Sequence, residues 1–328
     1  MTPFVSIIVP CYNEQATIRL LLESIYRQDY PRDDMEVVIA DGRSTDRTIQ
    51  EIADFQRDFA DLKVTVVENT RRVIPAGLNR ALEAVSGEVI VRLDAHSMPA
   101  SDYVRRCVDG LQAKLGDNIG GIWDIRPGKG GWAARSIAAA AAHPFGVGDA
   151  RYRLASSPGA VDTVPFGAFH RTLIERIGAF DETLLTNEDY EFNVRVRKNG
   201  GRVWLDPQIR SVYFARNSFS DLARQYWRYG FWKQRMLRRY PETLRWRQAL
   251  PPVFVLSLVI LSILALFWMP ARFLLAVEVL FYLLVLLAGS VPTAIRNKDA
   301  AMLVGIPIAI IIMHISWGAG FLWSANNS

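Results

Sequence analysis

Apolar positions fall along this chain in two regimes. Up to about residue 247 short β-branched runs alternate with segments of helical spacing, and beyond it long apolar stretches take over. In the first regime Val5-Ser-Ile-Ile-Val-Pro10 predicts a strand. Asn13-Glu14 then predicts a helix start, with Leu20, Leu21, Ser24 and Ile25 recurring at helical spacing. Met35 to Ala40 predicts a second strand ending in Asp41-Gly42, and a helix opens at Ser44-Thr45-Asp46. Leu62 to Val67 is a third, followed by a loop and a helix from Pro75 to Val85; Val89 to Leu93 is the fourth. Strands alternating with helices of this length predict an α/β fold, Rossmann-like, with a mostly parallel sheet covered on both faces. In such sheets ligands bind beyond the carboxyl ends of the strands. Polar residues collect there: Tyr12, Asn13 and Glu14 after strand one, Asp41 after strand two, Asp94 and His96 after strand four.

The second regime is nearly free of charge. No Asp, Glu, Lys or Arg occurs from Gln248 to Ala271, Glu278 is the one acid between Arg272 and Arg296, and no formally charged side chain follows Asp299. A hydrocarbon core of roughly 30 Å needs about 20 apolar helical residues, so three spans fit, about 253–269, 272–291 and 302–323. Glu278 and His314 lie inside them; a partner within the bundle or a place near a span end accounts for each. The division predicted is a catalytic domain over 1–215, basic amphipathic interfacial helices over 216–250, and transmembrane helices over 251–328.

Charge sharpens this picture. Between Arg195 and Arg247 stand fourteen Lys and Arg against three acids, a local +11 in a chain of net +5. Such a segment beside apolar spans attracts anionic lipid headgroups or lipid-linked phosphate; nucleic acid is not the expected partner. Met1-Thr2-Pro3-Phe4 lacks a basic region followed by an apolar core, so a cytosolic head is expected. The positive-inside rule agrees, placing the head and the 292–300 loop inside and the C-terminus outside, in an inner (plasma) membrane. Cys11 and Cys107 predict neither a disulfide framework nor a thiolate metal cluster, and read as small buried hydrophobes.

Four stretches carry the chemistry: "VSIIVPCYNE", "ADGRSTDRT", "RLDAH" and "TNEDYEFNVRVRKNGGRVW". Together, over about residues 4 to 240, they resemble a family 2 glycosyltransferase of the GT-A fold. With the trailing spans the chain is most similar to the membrane-bound glucosyltransferases of succinoglycan-type exopolysaccharide assembly. That resemblance implies an inverting enzyme using a UDP-sugar, a divalent cation (Mn²⁺ or Mg²⁺) and a polyprenyl-diphosphate-linked saccharide acceptor, with other polysaccharide-assembly proteins as further partners. It implies nucleotide contacts from Pro10, Tyr12, Glu14 and Asp41, with Arg71 reaching the diphosphate.

The family's metal motif is acid, any residue, acid; here it is Asp94-Ala95-His96, so the resemblance makes Asp94 and His96 the cation ligands, with Asp94 also on the donor. Imidazole suits later transition metals better than Mg²⁺, and Mn²⁺ tolerates mixed sets. Asn187-Glu188-Asp189-Tyr190 matches the family's acidic pair, which makes Asp189 the general base; Glu188 orients a neighbour or faces the helix dipole. "VPFGAFHR" matches the loop under the acceptor, where Gly167 permits close approach. Gln225-Tyr-Trp-Arg228-Tyr229 resembles the Gln-x-x-Arg-Trp motif of membrane-bound synthases, with Tyr229 in place of Trp, and implies contacts to diphosphate and acceptor. The same segment also reads as a basic amphipathic helix at headgroup level, with Trp227 and Trp232 as anchors. A polyprenyl-phosphate sugar synthase, a processive synthase and an idle scaffold are the competing readings; Asp94 and Asp189 together oppose the last.

Overall fold

The strands in the first regime form where the β-branched runs lie, and side-chain alternation sets which helices cover them. The computed structural model describes residues 2–154 and 157–327. One compact unit comprises Met1–Asp124 and Ala155–Tyr213. Its elements in chain order begin with β1 (Val5–Cys11), α1 (Ile18–Tyr26), β2 (Met35–Asp41), α2 (Thr48–Asp58), β3 (Lys63–Glu68), α3 (Ile74–Ala84) and β4 (Val89–Arg92). β5 (Ser97–Pro99), α4 (Tyr103–Gln112) and β6 (Asn118–Pro127) follow, then three short helices of the other unit, α5 (Trp132–Ala141), α6 (Pro144–Val147) and α7 (Arg151–Leu154). The chain returns with β7 (Gly159–Ala160), β8 (Ala168–His170), α8 (Thr172–Ile177), α9 (Glu188–Lys198) and β9 (Val203–Ala215).

The sheet has nine strands in the order β3-β2-β1-β4-β8-β6-β9-β5, with β7 on β9. β1 pairs in parallel with β2 and β4, and β2 with β3. From β8 onward the pairings described are antiparallel, so the sheet is mixed, and the expected parallel order is confined to β1–β4. Consecutive strands among the first four are joined across a helix, the connection that parallel neighbours need. Ile7, Val9, Val37, Ile39, Val89 and Val91 share one face and pack with Leu21, Leu22 and Ile25 of α1 and Val104 and Cys107 of α4. Each such fully buried side chain is worth about 1.5–3 kcal/mol. Cys11 and Cys107 are both free thiols inside this core.

Glu36 interrupts the apolar run of β2. It is fully buried, accepts hydrogen bonds from Ser6 Oγ, Ser86 N and Ser86 Oγ at 2.7 Å each, and meets Lys63 Nζ at 2.5 Å. Burial opposes its charge, yet Lys63, Ser86 and Ser6 outweigh burial and hold its carboxyl down to about 2.

The other unit, Ile125–Leu154 and Phe214–Ser328, adds α10 (Phe219–Arg239), α11 (Trp246–Leu264), α12 (Met269–Asn297) and α13 (Met302–Asn326). The last three are long and apolar enough to cross a membrane. α11 begins and ends earlier than the expected first span, with Pro251 and Pro252 inside the helix rather than before it. Ser218 caps α10, accepting from Asp221 N at 3.1 Å. α10 and α13 lie side by side in parallel. Trp132 touches both Phe219 and the start of α13 at Gly305, Gly230 abuts the carbonyl of Trp317, and Gly320 that of Trp227. Further along, Ser324 Oγ donates to Gln234 at 3.2 Å, and Arg238 Nη2 donates to the carbonyls of Ser324 and Ala325. Glu278 and His314 find partners between helices: Ser257 Oγ donates to Glu278 at 2.5 Å, and Tyr282 Oη is hydrogen-bonded to His314 Nδ1 at 2.9 Å.

Candidate active site

The carboxyl ends of β1 and β2 are adjacent, with Pro10 opposite Ala40 and Cys11 opposite Asp41. Asn13 adopts a left-handed conformation (φ 55°), and its side-chain oxygen accepts from Thr45 N at 2.8 Å. Asp41 is buried and accepts from Ser44 N at 3.0 Å and Ser44 Oγ at 2.6 Å; Glu14 N donates to Thr48 Oγ1 at 2.7 Å. These bonds fasten the two strand ends together and consume the residues that looked like helix starts. The helices therefore begin later, at Ile18 and Thr48. Tyr12 is 44% exposed over Gly42, with the Arg72 guanidinium 5.9 Å from its ring, a flat face turned to solvent. Arg71 is paired with Glu182, which also accepts from Asn79.

β4 ends in Arg92, and the chain turns at Asp94, whose carbonyl accepts from Ser97 N and Oγ. His96 Nδ1 is hydrogen-bonded to Glu14 Oε1 at 3.0 Å, so the ends of β1 and β4 are joined by an imidazole–carboxylate pair. Thr17 Oγ1 donates to the other Glu14 oxygen at 2.6 Å. Among the described residues no three His, Cys, Asp or Glu side chains form a ready cation cage. An aspartate, and a histidine oriented by a carboxylate, fit a cation whose remaining ligands are substrate phosphate oxygens.

The helix α9 brings the acidic pair to the same place. Asn187 precedes it in the left-handed region (φ 70°), and Glu188, Asp189 and Glu191 fill its first turn, where the helix dipole favours negative charge. Glu188 is buried and accepts from Arg92 Nη2 at 2.8 Å; the same nitrogen lies 3.2 Å from Asp94 Oδ1. Asp189 accepts from Tyr190 N at 2.7 Å. Burial, first, and then the neighbouring charge of Glu188 push the Asp189 carboxyl up to about 7, against the pull of Arg92. Gly167 completes the group. Its carbonyl accepts from Arg92 N at 3.0 Å, its φ is +97°, and a Cβ there would collide with Asn118 Oδ1. Asn118 in turn donates to Asn193 Oδ1 at 2.6 Å, and Asn193 to Thr163 Oγ1 at 2.9 Å, a buried network that fixes the loop to α9.

Asp94, Gly167 and Glu188, with Asp189 one position further, thus converge on a residue the motif reading passed over, Arg92. One signal was available: an arginine inside the otherwise apolar run VIVRL must find acids if the strand is buried. Gln225, Arg228 and Tyr229 all lie on α10 in the second unit, where Gln225 Nε2 donates to Tyr229 Oη at 2.9 Å.

A mixed sheet with acids gathered at the carboxyl ends of its parallel strands, followed by three long apolar helices, defines a GT-A-type domain with a C-terminal apolar helical region. The chain belongs to glycosyl transferase family 2, whose sequence model matches residues 6–178, more than half of its length. It is 26% identical over 327 residues to the dolichyl N-acetyl-alpha-D-glucosaminyl phosphate 3-beta-D-2,3-diacetamido-2,3-dideoxy-beta-D-glucuronosyltransferase of Methanococcus voltae, covering 97% of this chain and 96% of that protein. It is 29% identical over 326 residues to the succinoglycan biosynthesis protein ExoA of Rhizobium meliloti, covering 96% and 93%. Among solved structures it shares its fold with the mannosyltransferase PcManGT of Pyrobaculum calidifontis, in complex with GDP-Man and Mn²⁺. The TM-score is 0.67 at 23% identity, over 98% of this chain and 88% of that one. Residues 1–349 of S. aureus TarS in complex with UDP-GlcNAc give a TM-score of 0.52 at 15% identity, over 99% of this chain and 92% of that one.

Proposed function

We propose that this glycosyltransferase moves one sugar, with inversion, from a UDP-sugar to a polyprenyl-diphosphate-linked saccharide in the assembly of a cell-surface or exopolysaccharide, with glucose as the proposed sugar. The observation that carries the reading is the cluster around Arg92, in which the Asp189 carboxyl, raised by burial and by Glu188, stands at the helix start that Arg92 ties to Asp94. Asp41 accepts the ring N–H of the base, Tyr12 offers a stacking face, and Pro10 and Glu14 line the same loop. Asp189 takes the proton of the acceptor hydroxyl as that oxygen bonds to the anomeric carbon and the carbon–diphosphate bond breaks on the opposite face. Asp94 and His96 would hold the divalent cation, whose chemistry is to offset the charge gathering on the leaving diphosphate.

Glu188 keeps the first turn of α9 in place, and Gly167 lets the acceptor approach the backbone. Gln225, Arg228 and Tyr229 are assigned to diphosphate and acceptor on their motif. Arg71, engaged with Glu182, would have to leave it to reach a phosphate. Support for a lipid-linked acceptor comes from the dolichyl phosphate acceptor in the name of the Methanococcus voltae relative and from the apolar helices. The enzyme is placed in the inner membrane with its catalytic unit cytosolic and other polysaccharide-assembly proteins as neighbours. The expected C-terminus outside follows from charge bias alone.

Membranes carrying the enzyme are given labelled nucleotide sugars and extracted lipid acceptors, with Mg²⁺ and with Mn²⁺. A lipid oligosaccharide one sugar longer, formed by wild type and absent with Asp189→Asn, is the expected product. A lipid monosaccharide or a polymer would replace the reading with a polyprenyl-phosphate sugar synthase or a processive synthase. Equal turnover by Asp189→Asn would remove Asp189 as base.

A further inference from the structure

Arg92 is 3% exposed, and its side chain ends among three acids. One nitrogen, Nη2, bonds both Asp94 Oδ1 (3.2 Å) and Glu188 Oε1 (2.8 Å), while Nε and Nη1 have no hydrogen-bond partner among the described residues. Its backbone N–H holds the carbonyl of Gly167. Asp94 follows the end of a strand, Glu188 opens a helix nearly a hundred residues later, and Gly167 belongs to the loop between; among the described hydrogen bonds Arg92 is the residue that joins all three, two by its side chain and one by its backbone. A buried guanidinium with two nitrogens idle is costly, and an apolar residue would fill the strand position without that cost. Glu188 alone could be neutralised more cheaply by a Gln in its place.

We infer that Arg92 is a positioning residue whose side chain fixes the cation-side carboxylate of Asp94 and the base-bearing turn of α9 in one spacing, while its backbone N–H, which any residue there keeps, holds the acceptor loop at Gly167. This rests on the roles given above to Asp94 and Asp189. It also means that a positive charge stands beside the carboxylate that receives the cation. Two effects of opposite sign follow on removing it. The cation meets less repulsion at Asp94, whereas base and donor lose their mutual alignment, for which a displacement of about 1 Å can cost ~100-fold in rate.

The test uses the full-length enzyme in detergent or membranes and two readouts. Mn²⁺ affinity in the presence of UDP is read from the free-ion paramagnetic signal, and sugar transfer is resolved into kcat and donor KM. Arg92→Met is expected to bind Mn²⁺ at least as tightly as wild type, by up to ~10-fold, to keep donor KM within about threefold, and to lose ~100-fold in kcat. Arg92→Lys, which keeps the charge without the fork, should bind Mn²⁺ like wild type and recover only part of kcat.

If Arg92→Met fails to fold, Arg92→Met/Glu188→Gln, which removes both charges of the buried pair, is measured in its place with the same expected losses. Turnover near wild type in that double variant would show that Arg92 merely neutralises Glu188. Mn²⁺ affinity falling in step with kcat would show a role in general stability, and either result overturns the inference. Asp94→Ala separates the two levels: if it binds Mn²⁺ as wild type does, the cation-ligand role of Asp94 fails whatever Arg92 does.

Discussion

His96 Nδ1 and Glu14 Oε1 meet at 3.0 Å, so the tip of one parallel strand orients the imidazole at the tip of its neighbour. Carboxylates that orient a ligating histidine raise its basicity, and losing one typically costs 10–100-fold in metal affinity. Glu14→Gln is therefore expected to raise the cation concentration for half-maximal transfer by ~10-fold. His96→Asp should keep activity and shift preference from Mn²⁺ toward Mg²⁺. Cation titrations of transfer check both; an unchanged metal profile in His96→Ala would leave His96 as a turn residue.

Asp189 must be ionised to accept a proton, so transfer should rise with pH to an inflection that a bound cation draws below about 7. Glu188 is the largest charge holding that value up, and Glu188→Gln should move the inflection to lower pH. The pH profile of kcat measures this, and an unmoved inflection would detach Glu188 from the base.

The same shift has a stability sign. A carboxyl raised from 3.8 to about 7 on folding contributes stability below its ordinary value and loses it as pH rises through about 7. At pH 8 Asp189→Asn should melt no lower than wild type, and higher if the fold is otherwise unchanged, while transfer drops 10²–10⁴-fold, the usual order for losing a general base. Melting curves at pH 5 and pH 8 test the pair of signs.

Glu36 behaves in the opposite sense. Its carboxyl is held down to about 2, so its contribution is present above the ordinary value of 4.5 and disappears as pH falls through about 2. Glu36→Gln loses the charge-assisted bonds from Lys63, Ser6 and Ser86 and should cost about 2 kcal/mol at neutral pH. The deficit should narrow in acid, as denaturant titrations at pH 7 and pH 3 would reveal.

Gly167→Ala combines a left-handed backbone with a collision at Asn118. It should lower transfer by more than tenfold through displacement of the 164–171 loop. Asn118→Ala in the same chain opens the space and is expected to restore part of that loss.

The parallel strands were legible because burial of both sheet faces leaves nearly unbroken β-branched runs, as at Val37-Val38-Ile39. What blurred was the start of the first two helices, α1 and α2, whereas α3 begins within one residue of its expected place. Asn13, Glu14, Ser44 and Asp46 are good capping types, but here Asn13, Ser44 and Asp46 tie the end of β1 to that of β2 and Glu14 ties it to that of β4, so the helical turns begin downstream. The short or mixed-polarity strands, β5, β7 and β8, gave no periodic signal strong enough to read. In the site, carboxylates at strand ends could be found because strand ends are where such a fold exposes polar groups. Arg92 could not be found by motif, since its role comes from meeting Glu188 across the fold rather than from its neighbours in sequence. Glu182, which occupies Arg71, was hidden for the same reason.

Gly230 against the carbonyl of Trp317 and Gly320 against that of Trp227 interlock α10 and α13 like two toothed rails. At both points the backbones approach so closely that an added Cβ would meet the facing carbonyl oxygen. The arginine-rich α10 and the uncharged α13 are therefore held in one register, and a side chain larger than glycine at either position would push the two helices apart.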